Sequence, residues 1–266
     1  MKITSIEAGA LYTPLHRPFK TALRTVETVQ SVIVTVRTDD GVCGYGEAPP
    51  TAVITGETME SIAAAVRGCI APALQGGDPE QLDELFARLD GCMVHNTSAK
   101  AAVDMALYDL YGKILDRPLY RLLGGRRRCI ETDLTISVNP VDQMVADSLA
   151  AVAGGYRILK VKVGKEGLAD VQRMQAIRQA VGPDIALRVD ANQGWSAKQA
   201  VRIIRQMEDA GLDIDLVEQP APAHDLDGMA AVTAAVSTPI LADESVFSPA
   251  DALEVIRRHA ADLINI

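Results

Sequence analysis

Aromatic side chains make up only 4% of the 266 residues, with one tryptophan and three phenylalanines, against a hydrophobic content of 48%. An interior built from this composition is aliphatic and rich in alanine and valine, as in α/β proteins. No apolar run reaches the roughly 20 residues that cross a bilayer, so a membrane-spanning helix is not expected. The four cysteines, Cys43, Cys69, Cys92 and Cys129, are scattered with no CxxC pair, which argues against a disulfide frame or a zinc site. His16, His95, His224 and His259 have neither HxxxH nor HxE spacing, so zinc hydrolase chemistry has no support. Basic charge is scarce too. The formal net charge is −9 and the only compact basic run is Arg126 to Arg128, which reads as a solvated connector, so nucleic acid is not the expected partner. The opening MKITSIEAGALYTP alternates like a strand and lacks the apolar core and cleavage site of a signal peptide, so the cytoplasm is the expected compartment.

What the chain does have is three acidic residues at matched places: Asp190 in ALRVDANQGW, Glu218 in IDLVEQPAP and Asp243 in PILADESVF. Each closes a short apolar run of strand type and precedes a turn and a helical pattern. The intervals of 28 and 25 residues are about one strand-helix unit each, so the three carboxylates are expected at the C-terminal ends of successive parallel strands. Three hard oxygen ligands converging on one point suit Mg²⁺.

The rhythm of the chain changes near its middle. Residues 1–125 read as an α+β domain: alternating strands at 3–12 and 32–36, an Asp39-Asp40-Gly41 turn, a strand at 42–48, then helices at 58–70, 79–89 and 97–115. The glycines of GVCGYGEA lie in the antiparallel meander and read as turns and a bend, not as a phosphate loop. Residues 126–266 alternate strand with helix. The expected strands are 132–138, 158–163, 186–190, 214–218, 240–243 and 263–266, separated by helices at 141–153, 168–181, 197–210, 225–236 and 249–259. A doubly wound sheet has the same rhythm, but acidic residues at three consecutive strand ends favour the first part of a barrel, strands one to six.

In the segment RILKVKVG, alternation puts Lys160 and Lys162 on one strand face and Leu159, Val161 and Val163 on the other. Two lysines directed into a barrel are costly unless they are used or paired. Two ammonium groups close together beside a divalent ion disfavour each other's protonated form, so a lysine pKa is expected to fall toward neutrality and supply a general base. A base beside Mg²⁺ suits removal of the weakly acidic proton next to a carboxylate.

The ordered set K-V-K at 160–162, D-A-N at 190–192, E-Q-P at 218–220 and A-D-E-S at 242–245 resembles the enolase superfamily, muconate lactonizing enzyme subgroup. A Lys or His base working with Mg²⁺ is general to that superfamily. The resemblance implies an α+β capping domain followed by a modified (β/α)₇β barrel, incomplete in this chain. It implies Asp190, Glu218 and Asp243 as metal ligands, Lys162 as the acid/base and Lys160 as the group that steers or neutralises the substrate carboxylate. Asn192 and Glu244 would support the site, with capping or salt bridging as the alternative for Glu244. Within the subgroup, PFKTALRT at 18–25, ITGET at 54–58, NTSAKAAVD at 96–104 and TDLT at 132–135 are similar to dipeptide epimerases of the L-Ala-D/L-Glu type. In those enzymes the first two stretches are mobile loops over the barrel mouth. The residue matching Arg24 helps bind a side-chain carboxylate, for which the guanidinium fork is chemically suited. Thr135 is a further substrate-contact candidate. A small-molecule carboxylate, in particular a dipeptide, is thus the implied partner, in a homo-oligomer. The chain ends inside its sixth barrel strand, where the resemblance implies a second catalytic lysine; a natural continuation is expected to place it immediately after Ile266. Three alternatives stay open: an o-succinylbenzoate synthase or cycloisomerase, an Mg²⁺-dependent aldolase on a plain barrel, and a catalytically incompetent fragment serving in binding or assembly.

Overall fold

The computed structural model describes residues 1–164 and 166–266, which divide into two compact units. One contains residues 1–17 and 27–129, the other residues 18–26 and 130–266. Among the described residues no helix is long and apolar enough to cross a membrane.

The first unit is built on a three-stranded sheet of order β1 (Ile3–Lys20), β2 (Thr25–Thr38) and β3 (Cys43–Ala48), with β2 and β3 antiparallel. Thr38 donates its N–H to the Val42 carbonyl, and Gly41 takes the positive φ that the turn between them requires. Helices α1 (Met59–Ala65), α2 (Ala71–Leu74), α3 (Leu82–Gly91), α4 (Thr97–Ile114) and α5 (Leu119–Leu122) follow, with a π-helical turn at Val66–Ile70. In α4, residues Ala99, Ala102, Val103, Ala106, Leu107 and Leu110 recur at helical spacing and are fully buried. The helix lies directly on β3. A Cβ on Gly46 would stand 1.8 Å from the Ala102 carbonyl oxygen, and one on Gly44 2.0 Å from that of Ala106. Of the glycines of GVCGYGEA, Gly41 thus serves a turn, as expected, whereas Gly44 and Gly46 serve close helix-strand packing within a regular strand in place of the expected bend. Glu57 is buried and accepts hydrogen bonds from Ser98 N–H (3.0 Å), the Ser98 hydroxyl (2.6 Å) and Ala99 N–H (3.4 Å), capping the positive end of α4.

The second unit holds six parallel strands in sequence order: β4 (Leu134–Ile136), β5 (Ile158–Lys162), β6 (Ala186–Asp190), β7 (Ile214–Glu218), β8 (Ile240–Ala242) and β9 (Leu263–Ile264). Each pair is joined by a helix: α6 (Val141–Ala153), α7 (Ala169–Val181), α8 (Ala197–Asp209), α9 (Leu226–Ala235) and α10 (Pro249–Arg258). The barrel-like alternation has its aliphatic layer between strands and helices. Leu159, Val161, Leu187, Val189, Val217 and Ile240 pack against Met144, Met174, Ile177, Ile203, Ile204, Met207 and Met229. With the odd-numbered positions of β5 committed to this layer, Lys160 and Lys162 face the opposite side, as the alternation requires.

Candidate active site

Strand register gathers the charged residues. Lys162 pairs with Asp190, and Asp190 with Glu218, across β5, β6 and β7; one row below, Thr135, Lys160 and Arg188 are aligned. The ladder continues past the strand ends, where the Val163 N–H reaches the Asp190 carbonyl and the Ala191 N–H the Glu218 carbonyl. Just beyond, Asn192, Gln193 and Gln219 adopt positive φ of 41°, 65° and 37°. Non-glycine residues seldom hold this conformation, and such strain is characteristic of functional sites.

One carboxylate oxygen of Asp190, a fully buried residue, receives both ammonium groups, Lys162 Nζ at 2.5 Å and Lys160 Nζ at 3.0 Å. Its other oxygen accepts the Asn192 N–H at 2.8 Å. Lys160 also contacts both Glu218 oxygens, at 2.6 and 2.8 Å. Asn192 Nδ2 donates to Glu244 Oε1 at 3.1 Å, while Asn192 Oδ1 and Glu244 Oε2 are buried without partners. Asp243 lies one residue past β8 rather than within it, half-buried, with Asn265 Nδ2 at 3.2 Å from Oδ1. Asp190, Glu218, Lys160, Lys162, Asn192 and Glu244 thus form one connected network.

At Lys160 the electrostatics run against the fall expected of a lysine in this pair. Burial opposes the charged form of Lys160, but the nearby Asp190 and Glu218 carboxylates outweigh it and hold the ammonium above the ordinary lysine range. Repulsion between ammonium groups is the weaker influence because each shares a carboxylate. Glu218 is raised to about 7, first by burial and then by Asp190, against the pull of Lys160. Glu244 is also raised, again first by burial, with Asp243 and Asp190 adding to it.

Among the described residues, no three side chains of the His, Cys, Asp and Glu types stand together at metal-binding distance. The lysines contact inner oxygens of Asp190 and Glu218. The donor set nevertheless fits a hard divalent ion. All its donors are oxygen, two buried oxygens lack partners, and Glu218 and Glu244 are raised by burial and by the carboxylates beside them. When ionised, the four carboxylates exceed the two ammonium groups by two negative charges, which a dication would balance.

The substrate-contact candidates are less tightly bound. Thr135 is half-buried on β4, in the Lys160 row. Arg24 lies in a turn closed by a Thr21 N–H to Arg24 carbonyl bond of 2.9 Å, and its guanidinium makes no ion pair with any described residue. The segment carrying it is anchored beside β4 by the Val138 N–H to the Lys20 carbonyl and by Lys20 Nζ to Asn139 Oδ1.

The sequence reading gave Gln219 no role. It is fully buried, and its amide makes four contacts: Nε2 to the Ala221 carbonyl and the Ser245 hydroxyl, Oε1 from the Asp243 and Ser245 N–H groups. A glutamine between a strand-end glutamate and a proline was the available signal. Arg188, which bridges Asp133 and Asp215 at 3.3 and 2.8 Å below the lysines, was also missed.

Family models match both parts of the chain: "Mandelate racemase / muconate lactonizing enzyme, N-terminal domain" over residues 5–124 and "Enolase C-terminal domain-like" over residues 143–266. The chain is 50% identical over 266 residues to the L-Ala-D/L-Glu epimerase of Clostridium acetobutylicum, covering all of this chain and 74% of that protein. Among solved structures, the substrate-liganded L-Ala-D/L-Glu epimerase of Bacillus subtilis is similar with a TM-score of 0.97 and 51% identity, over all of this chain and 74% of that one. The dipeptide epimerase of Enterococcus faecalis, complexed with Mg and L-Leu-L-Tyr, is similar with a TM-score of 0.95 and 40% identity, again over all of this chain and 74% of that one.

Proposed function

The chain belongs to the mandelate racemase/muconate lactonizing enzyme family and is an isomerase of the racemase and epimerase kind, and we propose that its substrate is a dipeptide of the L-Ala-D/L-Glu type. The observation that carries the reading is the Lys162–Asp190–Lys160–Glu218 cluster at adjoining strand ends. In this reading, Lys162 Nζ takes the proton from the substrate α-carbon, and the released electron pair is delocalised into the adjacent substrate carboxylate. Lys160 stays charged, as its raised pKa supports, and acts as a fixed positive partner for that carboxylate rather than as a base. Asp190, Glu218 and Asp243 would hold Mg²⁺, with Asn192 and Glu244 behind them. When bound, the ion supplies further positive charge where the α-proton's electrons go. Arg24 is the candidate clamp for a second, side-chain carboxylate, and Thr135 a further contact. The scattered free cysteines support a reducing compartment, the cytoplasm.

The test is α-proton exchange of L-Ala-L-Glu in D₂O with Mg²⁺, followed by proton NMR, on the protein and its Lys162→Ala variant. The expected result is exchange by the wild type and a loss of about 10²- to 10⁴-fold in the variant. Exchange undiminished in Lys162→Ala refutes the assignment of the base. Turnover of N-succinyl amino acids or muconate in place of Ala-Glu refutes the substrate class.

A further inference from the structure

Behind the exits of β5 and β6 lies a charged cluster that the proposed reaction does not use. Asp170, in the first turn of α7, has no exposed surface. Its Oδ2 accepts the Gly164 N–H at 3.0 Å and the Trp195 Nε1–H at 3.2 Å, and its Oδ1 accepts Arg173 Nη1 at 2.7 Å. Arg173 is buried, contacts Glu166 at 2.7 Å through Nη2, and leaves its Nε without a partner. Gly164 stands two residues after Lys162, and Trp195 five residues after Asp190. One carboxylate oxygen therefore clasps the segments that follow both members of the 2.5 Å Lys162–Asp190 pair.

The backbones interlock at the same place. A Cβ on Gly194 would fall 2.5 Å from the Gly164 carbonyl oxygen, and one on Gly164, which has a φ of 100°, 2.4 Å from that of Ala191. Nothing larger than hydrogen fits at either position. Stability alone does not call for such a cluster, because apolar residues of similar volume commonly serve as well as a buried ion pair, and the unpartnered Arg173 nitrogen carries a cost. What a carboxylate offers that an apolar side chain lacks is direction.

We propose that Asp170 is a positioning residue that fixes the exit of β5 against the exit of β6 and so sets Lys162 Nζ at its distance from Asp190. The proposal deepens the reading of Lys162 as the base and rests on it for its kinetic consequence. Trp195 is the sole tryptophan, so its indole N–H gives a single cross-peak in a proton–nitrogen NMR spectrum and reports on the clasp directly.

Three measurements decide it. In Asp170→Asn, exchange of L-Ala-L-Glu at saturation is expected to fall about 10- to 100-fold, as for a slightly misplaced reacting group, with KM within about threefold. In Trp195→Phe, which keeps a ring in the core and removes one donor, kcat is expected to fall about fivefold with KM unchanged, and this variant stands in if Asp170→Asn does not fold. In Lys162→Met, the indole cross-peak is expected to shift, because the link runs in both directions. An unmoved peak overturns the proposal, as does wild-type kcat in the folded variants. Absence of exchange in the wild type would count against the reaction assigned above, while the indole peak in Lys162→Met would still decide the link.

Discussion

Replacing Glu218 by Gln removes a charge that the metal-free fold tolerates poorly. Glu218 is 4% exposed, and its pKa is raised from an ordinary 4.5 to about 7 by burial and by Asp190. A group whose folded pKa lies above its unfolded value contributes stability that is fully present below about 4.5 and lost as pH climbs through about 7. The difference corresponds to about 3 kcal/mol between those limits. Gln keeps an oxygen for Lys160 and has no proton to lose. The variant should therefore match the wild type near pH 5 in EDTA and exceed it at pH 8 by up to about 3 kcal/mol, or roughly 6–10 °C in Tm for a chain of this size. Added Mg²⁺ should reverse the order at pH 8, because only the wild type retains the carboxylate. Thermal melts by circular dichroism from pH 5 to 8, with EDTA and with Mg²⁺, are the assay. Parallel Tm curves for the two proteins in EDTA, or a variant less stable at pH 8, would refute the account of a Glu218 carboxyl raised by burial and by Asp190.

Other substitutions test other parts of the structure. Gly194→Ala drives a methyl group into the Gly164 carbonyl, and a loss of about 1–3 kcal/mol is expected in urea unfolding. Gln219→Leu strands the Asp243 and Ser245 N–H groups; calorimetric titration with Mg²⁺ should show an affinity lower by about tenfold or more. Glu57→Ala removes the cap of α4, and hydrogen exchange at Ser98 and Ala99 should speed up with about 1–2 kcal/mol of local stability lost.

Much of the second unit was legible because period and punctuation agree there. Strands β6 and β7 end at Asp190 and Glu218 where the apolar runs end, and α6 spans the expected residues. The first unit was harder to read. Strand β1 runs on to Lys20, well beyond the alternating residues 3–12, because Pro14, His16 and Pro18 hide an exposed continuation. The π-helical turn at 66–70 has no periodic signature. Pro72 has no N–H to give to Gly68, and the Ala71 N–H reaches the Val66 carbonyl five residues back, widening the turn. At the site, the residue types were readable and their balance was not. Adjacent lysines suggested mutual repulsion, whereas the carboxylates that dominate Lys160 come from strands 30 and 58 residues away. Asp170 carries no signal in the sequence, since nothing local marks its partners Gly164 and Trp195.

Gln219 ties the turn after β7 to that after β8 through its neutral side-chain amide, and its main-chain carbonyl takes the Gln193 N–H from the turn after β6. Three strand ends are therefore held in relation by groups that do not titrate, while the charges they present sit on separate residues. Protonation of Glu218, or exchange of a lysine contact for a cation, alters what the scaffold carries without altering the bonds that hold it. Framework and charge are carried by separate residues here: the amide and main-chain bonds of Gln219 hold the turns, and the carboxylates and lysines beside them hold the charge.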